Sequence, residues 1–442
     1  MKKVIIINPP SPDGRVIIRD AHRSGRTSKE GFIWCQTQLA QMASMVDDFL
    51  EPVIYDCIAS RISHKKIARI IKKQNPKYVI VQVIPATYRN DMRVAEEAKK
   101  HGAVVIIIGP HANSAWNQIL TDYNMDFVVF GEVEVTLRDL LYKLEHARQF
   151  DPSDIPGVAF RGRTITKNQE RPFADINLFP TPRFDLLPTY KMPFLGRYVF
   201  IMASRGCPFR CIFCREFLVF KGTFRTRHIE NIIKDIKANK VDTYLFHSGD
   251  FTADKQWVLE FCRAVKNLKI KWACNTHLRT IDEEMARAMK ESGCVMIAPG
   301  IESGNDQILL NIDKKLTVSI IREKVSMLSR IGIRVWGYFV LGFPGETAET
   351  IDQTINLALE LPLEIAHFGI ATPYYGTKFY DQCVEEEWLR AINWEDYDQN
   401  TKVAFEYPDL KVNVLLKKLK QAYWKFYFRP RTLKLLLKWF LS

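Results

Sequence analysis

The run Tyr198-Val-Phe-Ile-Met-Ala-Ser-Arg-Gly-Cys-Pro-Phe-Arg-Cys-Ile-Phe-Cys214 sets an apolar, strand-like stretch (residues 198–203) directly before a C-x3-C-x2-C loop. Three thiolates at this spacing can hold three irons of a four-iron cluster, whereas a cluster used only for electron transfer normally has four cysteine ligands. The fourth iron is then open to a second molecule. A structural zinc site requires a fourth Cys or His at short spacing, and none follows Cys214 within the next thirteen residues. Disulfides fit poorly, because nine cysteines is an odd count, the chain of 442 residues is long and no secretory leader precedes them. The remaining alternative is packed core cysteines at a coincidental spacing.

Working outward, strand-like runs recur near 198–203, 241–246, 270–274, 294–298, 333–340 and 365–371, with helical patterns between them. Six strand-helix repeats predict a partial barrel rather than a closed eight-fold one. Its reactive residues belong at the carboxyl ends of the strands, where the cysteine loop and residues 247–250, 275–277, 300–302 and 341–343 all fall.

Ahead of this core, β-branched runs at 4–7, 53–55, 78–83, 104–108 and 127–130 alternate with helical segments. Over 63–74, Ser63 offers an N-cap and Ile67, Ile70 and Ile71 share one face. This is the pattern of a doubly wound parallel sheet, whose ligands bind beyond the carboxyl ends of its strands. Residues 8–10, 85–87, 109–111 and 131–132 occupy those ends. Neither G-x-G-x-x-G nor G-x4-G-K-[ST] occurs there, which disfavours a dinucleotide or a P-loop nucleotide and leaves a large ligand with a flexible tail. The proline-rich stretch that follows carries a hairpin-like pair around Arg161-Gly-Arg163. The expected organisation is an α/β chain: a ligand-binding sheet domain at 1–150, a linker module at 151–196, the partial (β/α)6 barrel at 197–375, and a basic, helical C-terminal region at 376–442.

With His247-Ser-Gly-Asp-Phe-Thr252, Gly300-Ile-Glu-Ser-Gly304, Gly337-Tyr-Phe-Val-Leu-Gly-Phe-Pro-Gly-Glu-Thr347 and Thr372-Pro-Tyr-Tyr-Gly-Thr377, the cysteine loop resembles the radical S-adenosylmethionine (SAM) enzymes. Over nearly the whole chain the sequence is similar to their class B, which carries a cobalamin-binding domain ahead of the radical core. The resemblance implies a 4Fe-4S cluster on Cys207, Cys211 and Cys214, with SAM on the open iron as source of a 5′-deoxyadenosyl radical. It places Phe213 beside the SAM adenine, or as a shield of the cluster from water. Ser248, Gly249 and Asp250 match the position whose backbone holds the SAM amino group, with His247 where an Asp is more common. Glu302 matches a position that reaches the SAM ribose or methionine, the alternative being a capping carboxylate for a helix near Asn305.

The same resemblance assigns cobalamin to the strand ends of the first domain, at Thr87, Gly109, His111, Gly131 and Glu132, with Val133 where a small residue is usual. The D-x-H-x-x-G signature of other cobalamin domains is absent, so no histidine is marked as axial ligand. His111 either approaches the corrin or is a turn histidine satisfied by backbone. The implied reaction is methylation of an unactivated carbon through methylcobalamin, with anaerobic oxidative cyclisation of a tetrapyrrole as the alternative. A tRNA methylthiotransferase would need a second cluster, yet only Cys35 and Cys57 precede the core. A cobalamin-binding module with an idle core conflicts with the intact cysteine triad. The implied partners are a small-molecule or lipid-like substrate and a low-potential electron donor, with no nucleic acid expected.

The net charge of +13 draws anionic cofactors, nucleic acid or the inner membrane surface alike. No apolar run approaches the ~18 residues of a spanning helix, and free thiols suit a reducing cytoplasm. Residues 411–442 hold nine Lys or Arg and no Asp or Glu. A helix over 431–441 would set Lys434 and Lys438 against Leu433, Leu436, Leu437 and Phe440. Such an end either packs on the barrel or makes peripheral contact with an anionic membrane.

Overall fold

The apolar runs become strands buried on both faces, as parallel sheets covered by helices require. A computed structural model describes residues 1–20, 25–430 and 432. The chain divides into two units, Met1–Tyr190 with Asn393–Asp398, and Lys191–Ile392 with Gln399–Ser442.

The first unit contains β1 (Lys2–Asn8), β2 (Ile17–Ile18), β3 (Arg26–Thr27), β4 (Leu50–Asp56), β5 (Tyr78–Gln82), β6 (Val104–Ile108), β7 (Phe127–Val129), β8 (Val158–Arg161) and β9 (Ile165–Lys167). Its main sheet runs β4-β1-β5-β6-β7-β8-β9. The first five strands are parallel, and β8 and β9 follow antiparallel. The hairpin expected around Arg161-Gly-Arg163 therefore forms, and it extends this sheet. Ser63 caps the helix His64–Gln74 by accepting from the Lys66 N–H, and Asn75, at φ 43°, ends it in the left-handed conformation. Ile67 and Ile71 are its buried face. Strand order reverses between β1 and β5, which is the switch point where such sheets bind ligands.

The second sheet runs β10-β11-β14-β15-β16-β17-β18, from β10 (Tyr190–Met192), β11 (Gly196–Met202), β14 (Thr243–His247), β15 (Trp272–Thr276), β16 (Cys294–Glu302), β17 (Arg334–Leu341) and β18 (Ile365–Ile370), while β12 (Ser204–Gly206) and β13 (Phe224–Thr226) form a separate antiparallel pair. From β11 to β18 the six strands are parallel, the partial barrel that the repeats predict. Helices between them start on side-chain caps at Asp254, Asp282, Thr317 and Thr347. On the outer face Phe246, Phe251, Phe261 and Trp272 pack ring against ring. The helix Val412–Tyr427 covers the edge strand: Tyr423 Oη donates to the Phe368 carbonyl (3.0 Å) and Tyr427 Oη to that of Ala366 (2.8 Å).

The basic helix expected at 431–441 lies, apart from Thr432, outside the described residues. Among the described residues no helix is long and apolar enough to cross a membrane.

Candidate active site

The cysteine loop leaves β12 and ends at Cys214, the residue before helix Arg215–Phe220. The β12–β13 pair fixes its start, and a Cys214 N–H to Cys211 carbonyl bond (3.1 Å) turns its end. All nine cysteines are free thiols, with Cys211 buried and Cys207 and Cys214 half-buried. Burial pushes the Cys207 and Cys211 thiols up; the Lys314 ammonium works against this at Cys211. Among the described residues no three His, Cys, Asp or Glu side chains converge on one metal-ion position.

The end of β14 lies directly against this loop. A Cβ on Gly249 would come 2.2 Å from the Gly206 carbonyl oxygen and 2.9 Å from Cys207 Cβ, so only glycine allows the approach. The Ser248 N–H donates to Asn275 Oδ1 (3.4 Å), and Asn275 Nδ2 donates to the Gly249 carbonyl (3.3 Å). The Asp250 carboxylate is fully buried and accepts from the N–H groups of His277 (3.0 Å) and Thr252 (3.2 Å) and the hydroxyls of Thr276 (3.1 Å) and Thr280 (3.0 Å). Burial raises its pKa against these donors. Asp250 thus ties the end of β14 to that of β15.

Glu302 closes β16 at φ 67° and pairs with Lys314, Nζ to Oε1 2.8 Å, both side chains under a tenth exposed. Burial opposes the Lys314 charge, but attraction to Glu302 and Cys211 outweighs it and lifts the lysine pKa. The capping alternative for Glu302 is not realised, because Asn305 caps the next helix itself through Ile308 N–H (3.1 Å). His277 Nε2 donates to the Lys314 carbonyl (2.8 Å) and its Nδ1 accepts from Arg279 N–H (3.2 Å). Burial first, then the nearby Lys314 charge, lowers the His277 pKa to about 3, which leaves the ring neutral. Phe209 of the cysteine loop stacks on that ring at 3.8 Å. Phe213 packs against Phe343, ring centres 4.9 Å apart. Lys314, His277 and Asn275 join the site without having been singled out in the sequence. Only the position of 275–277 at a strand end pointed to the last two.

In the first unit the switch point is filled by a buried network. The Arg19 guanidinium donates to the Pro9 carbonyl (2.7 Å), Asn8 (3.2 Å), Thr87 (3.2 Å) and Asp91 (2.7 Å), and the Thr87 hydroxyl donates to Asp91 (2.7 Å). The Thr87 side chain is committed to that network. Gly109, at φ 108°, lets β6 turn where a Cβ would lie 2.6 Å from the Val83 carbonyl oxygen. His111 is wholly buried in the first turn of helix Pro110–Asp122, its ring 4.2 Å from that of Tyr88 and 4.8 Å from that of Trp394. Gly131 N–H donates to Asn113 (2.7 Å), and Glu132 accepts from Ala174 N–H (3.3 Å). The short segment Asn393–Asp398, which nothing in the sequence flagged, is held to this unit by Trp394 Nε1 to Gln118 (2.6 Å) and by Thr27 Oγ1 to Asp398 (2.6 Å).

Residues 201–358 match the Radical SAM superfamily. An uncharacterised methyltransferase of Pyrococcus horikoshii is 31% identical over 407 residues, 89% of this chain and 88% of that protein. The anaerobic magnesium-protoporphyrin IX monomethyl ester cyclase of Rubrivivax gelatinosus is 22% identical, over 87% of this chain and 72% of its own length. In fold, the chain is similar to the radical SAM methyltransferase TsrM from Kitasatospora setae, solved with cobalamin and a 4Fe-4S cluster, at a TM-score of 0.68 and 16% identity, covering 87% of this chain and 75% of that one.

Proposed function

We propose that this chain methylates an unactivated carbon by radical chemistry, on the premise that it belongs to the radical SAM superfamily, in its cobalamin-dependent class B branch. The observation that carries the reading is the loop of three free thiols at the carboxyl end of a six-strand parallel sheet, beside the 248–249 backbone and the Glu302–Lys314 pair. Three thiolates at this spacing suit a multi-iron group better than a structural single-ion site, which would need a fourth ligand. When bound, a 4Fe-4S cluster on Cys207, Cys211 and Cys214 would supply the 5′-deoxyadenosyl radical from SAM, and cobalamin would supply the methyl group.

The chain's own residues then bind, orient and exclude water. Adjacent and under a tenth exposed, Lys314 and Glu302 offer a cation and an anion to a zwitterionic amino acid such as the methionine part of SAM. The Ser248 and Gly249 backbone, oriented by Asn275, offers acceptors for its amino group, and Asp250 holds that turn in place. Phe213 against Phe343 supports the shielding role over the adenine one.

Residues 1–150 are proposed to bind cobalamin at the strand ends marked by Thr87, Gly109, His111, Gly131 and Glu132, with 151–196 as linker, 197–375 as radical core and 376–442 as the basic end. Burial of His111 between Tyr88 and Trp394 supports a cobalt without imidazole. The proposed setting is cytoplasmic, with a small or lipid-like substrate, a low-potential electron donor and peripheral membrane contact at the C-terminus. Oxidative cyclisation is the second reading, favoured by the extent of the match to the cyclase.

The test is anaerobic reconstitution of the full chain. Wild type should bind corrinoid and about four irons and release 5′-deoxyadenosine, and a methylated product should gain ~14 Da. Cys207→Ala, Cys211→Ala or Cys214→Ala should each abolish cluster loading and SAM cleavage, while Cys262→Ala or Cys383→Ala should not. Full iron loading and 5′-deoxyadenosine release in a triad variant would overturn the assignment.

A further inference from the structure

Three of the eight non-glycine residues that hold a positive φ among the described residues surround one ion pair: Glu302 at 67°, Asp313 at 55° and Lys315 at 56°. Glu302 ends β16, and its carboxylate meets the Lys314 ammonium. Lys314 follows the helix Asp306–Asn311, whose end is closed by Asp313 N–H to the Leu310 carbonyl (3.0 Å) and Lys314 N–H to that of Leu309 (3.0 Å). That closure puts Asp313 where glycine is usual and Lys314 where an apolar side chain commonly packs back on the helix. Lys314 is buried all the same, and Gly300 leaves room for the pair: a Cβ there would lie 2.3 Å from Glu302 Oε1 and 2.8 Å from Lys314 Nζ. A buried ion pair adds little to stability beside an apolar pair of the same volume, and left-handed backbone at non-glycine residues is a further cost. Stability therefore does not account for the arrangement.

The pair is tied to the cysteine loop from two sides. Ile212, between Cys211 and Cys214, donates its N–H to the Ile312 carbonyl (3.2 Å), two residues before Lys314. Phe209, between Cys207 and Cys211, stacks at 3.8 Å on the ring of His277, which donates to the Lys314 carbonyl (2.8 Å). The Ile212 carbonyl is itself held by Phe379 N–H (3.1 Å). The ammonium and the thiols act on one another. Against burial, Glu302 first and then Cys211 and Cys214 favour the charged lysine. At Cys211 burial is the largest influence and raises the thiol pKa; Lys314 comes next and opposes it, ahead of Glu302 and Asp313, which side with burial. Of the ion pair, the cation thus dominates at this thiol. Asp313 has its own cation in Lys315 (2.5 Å), and His277 is neutral.

The potential of an iron-sulfur cluster follows the net charge, hydrogen bonds and solvent exposure around it. A buried charge acts strongly on its neighbours and is little screened by salt. Reduction adds one electron from a low-potential donor, with no bond made or broken, and a nearby cation favours that added negative charge. We infer that the Lys314 ammonium raises the reduction potential of a cluster on Cys207, Cys211 and Cys214, with Glu302 as the opposing charge. The inference rests on the three thiols holding such a cluster, and it gives Lys314 a role that does not depend on SAM.

The full chain should be reconstituted anaerobically without SAM, poised with redox mediators, and its reduced cluster counted by electron paramagnetic resonance. At the midpoint of the unsubstituted chain, Lys314→Met should lower the ratio of reduced to oxidised cluster roughly tenfold, which for one electron is about 59 mV. Glu302→Gln, which keeps an acceptor for the ammonium, should raise the ratio, and the double variant Lys314→Met/Glu302→Leu should fall between the two. Damage to the loop would move both single variants the same way. Shifts of the two in one direction, or a Lys314→Met ratio within about twofold of the unsubstituted chain, would overturn the inference. Where Lys314→Met loads fewer than about four irons, Glu302→Gln decides alone, and an unchanged or lowered ratio overturns the inference. Iron content and 5′-deoxyadenosine release by the unsubstituted chain report on the radical-enzyme reading separately, so either claim can fail alone.

Discussion

Lys314→Met removes the cation from an ion pair 2.8 Å long whose two side chains are each under a tenth exposed. At an effective dielectric of 20 the direct attraction is roughly 6 kcal/mol, but withdrawing two charges from water costs several kcal/mol for each. The pair as a whole is therefore worth little beside an apolar pair of the same volume. Breaking it is another matter, because the Glu302 carboxylate stays behind among the Gly300 and Cys211 surroundings with its cation gone. The expected loss for Lys314→Met is about 3–5 kcal/mol, with a similar loss for Glu302→Leu, which strands the ammonium. The double variant Lys314→Met/Glu302→Leu should recover most of this, ending within about 1 kcal/mol of wild type, so that the coupling is about 5 kcal/mol or more. Urea unfolding of the metal-free protein, followed by tryptophan fluorescence, measures all four corners of the cycle. Additive losses in the double variant would refute the reasoning, as would a single-variant loss under about 1 kcal/mol. In the reconstituted protein the double variant should remain folded yet bind SAM poorly, which separates the pair's binding role from its structural one.

Glu346 is fully buried, and burial pushes its carboxyl up to about 8 although the Gly342 and Phe343 N–H groups oppose this. The folded chain thus keeps a proton that the unfolded chain, with a pKa near 4.5, has released, so stability falls as pH rises between those values. Glu346→Gln keeps an acceptor and should flatten that slope in unfolding midpoints compared at about pH 5 and about pH 8; an unchanged slope would place the titration elsewhere. Cob(II)alamin bound to the full chain should show no nitrogen superhyperfine splitting in electron paramagnetic resonance, because His111 is enclosed by Tyr88 and Trp394. A single-nitrogen pattern that vanishes in His111→Ala would disprove this. If the basic end contacts membranes, the chain should co-sediment with anionic vesicles at low salt and release at high salt, each Lys or Arg near the surface contributing about 1 kcal/mol; no binding at low salt removes membrane contact.

Strand positions were legible because a strand buried on both faces must be a continuous apolar run, so that 104–108 reads the same in sequence and structure. The helix start at Ser63 was legible for the same local reason, a side-chain oxygen that satisfies its own helix. What could not be read depends on chain segments far apart in sequence. Tyr423 meets the backbone of Phe368 across 55 residues, and Thr27 meets Asp398 across 371. No local pattern marks Asn393–Asp398 as belonging with the first sheet.

The active-site motifs show a subtler version of the same limit. His247-Ser-Gly-Asp reads as a backbone position for an amino group without saying what each side chain does, and in the folded chain Asp250 turns its carboxylate to four donors at and just beyond the ends of β14 and β15. What the turn leaves facing the cysteine loop is glycine backbone, closer than any Cβ permits. A carboxylate with that many donors, buried and at the base of the turn, is a device for holding backbone geometry. Replacing it should therefore shift the 248–249 carbonyls rather than remove a ligand. That distinction lies in which atoms the residue spends on its own chain, which spacing alone does not contain.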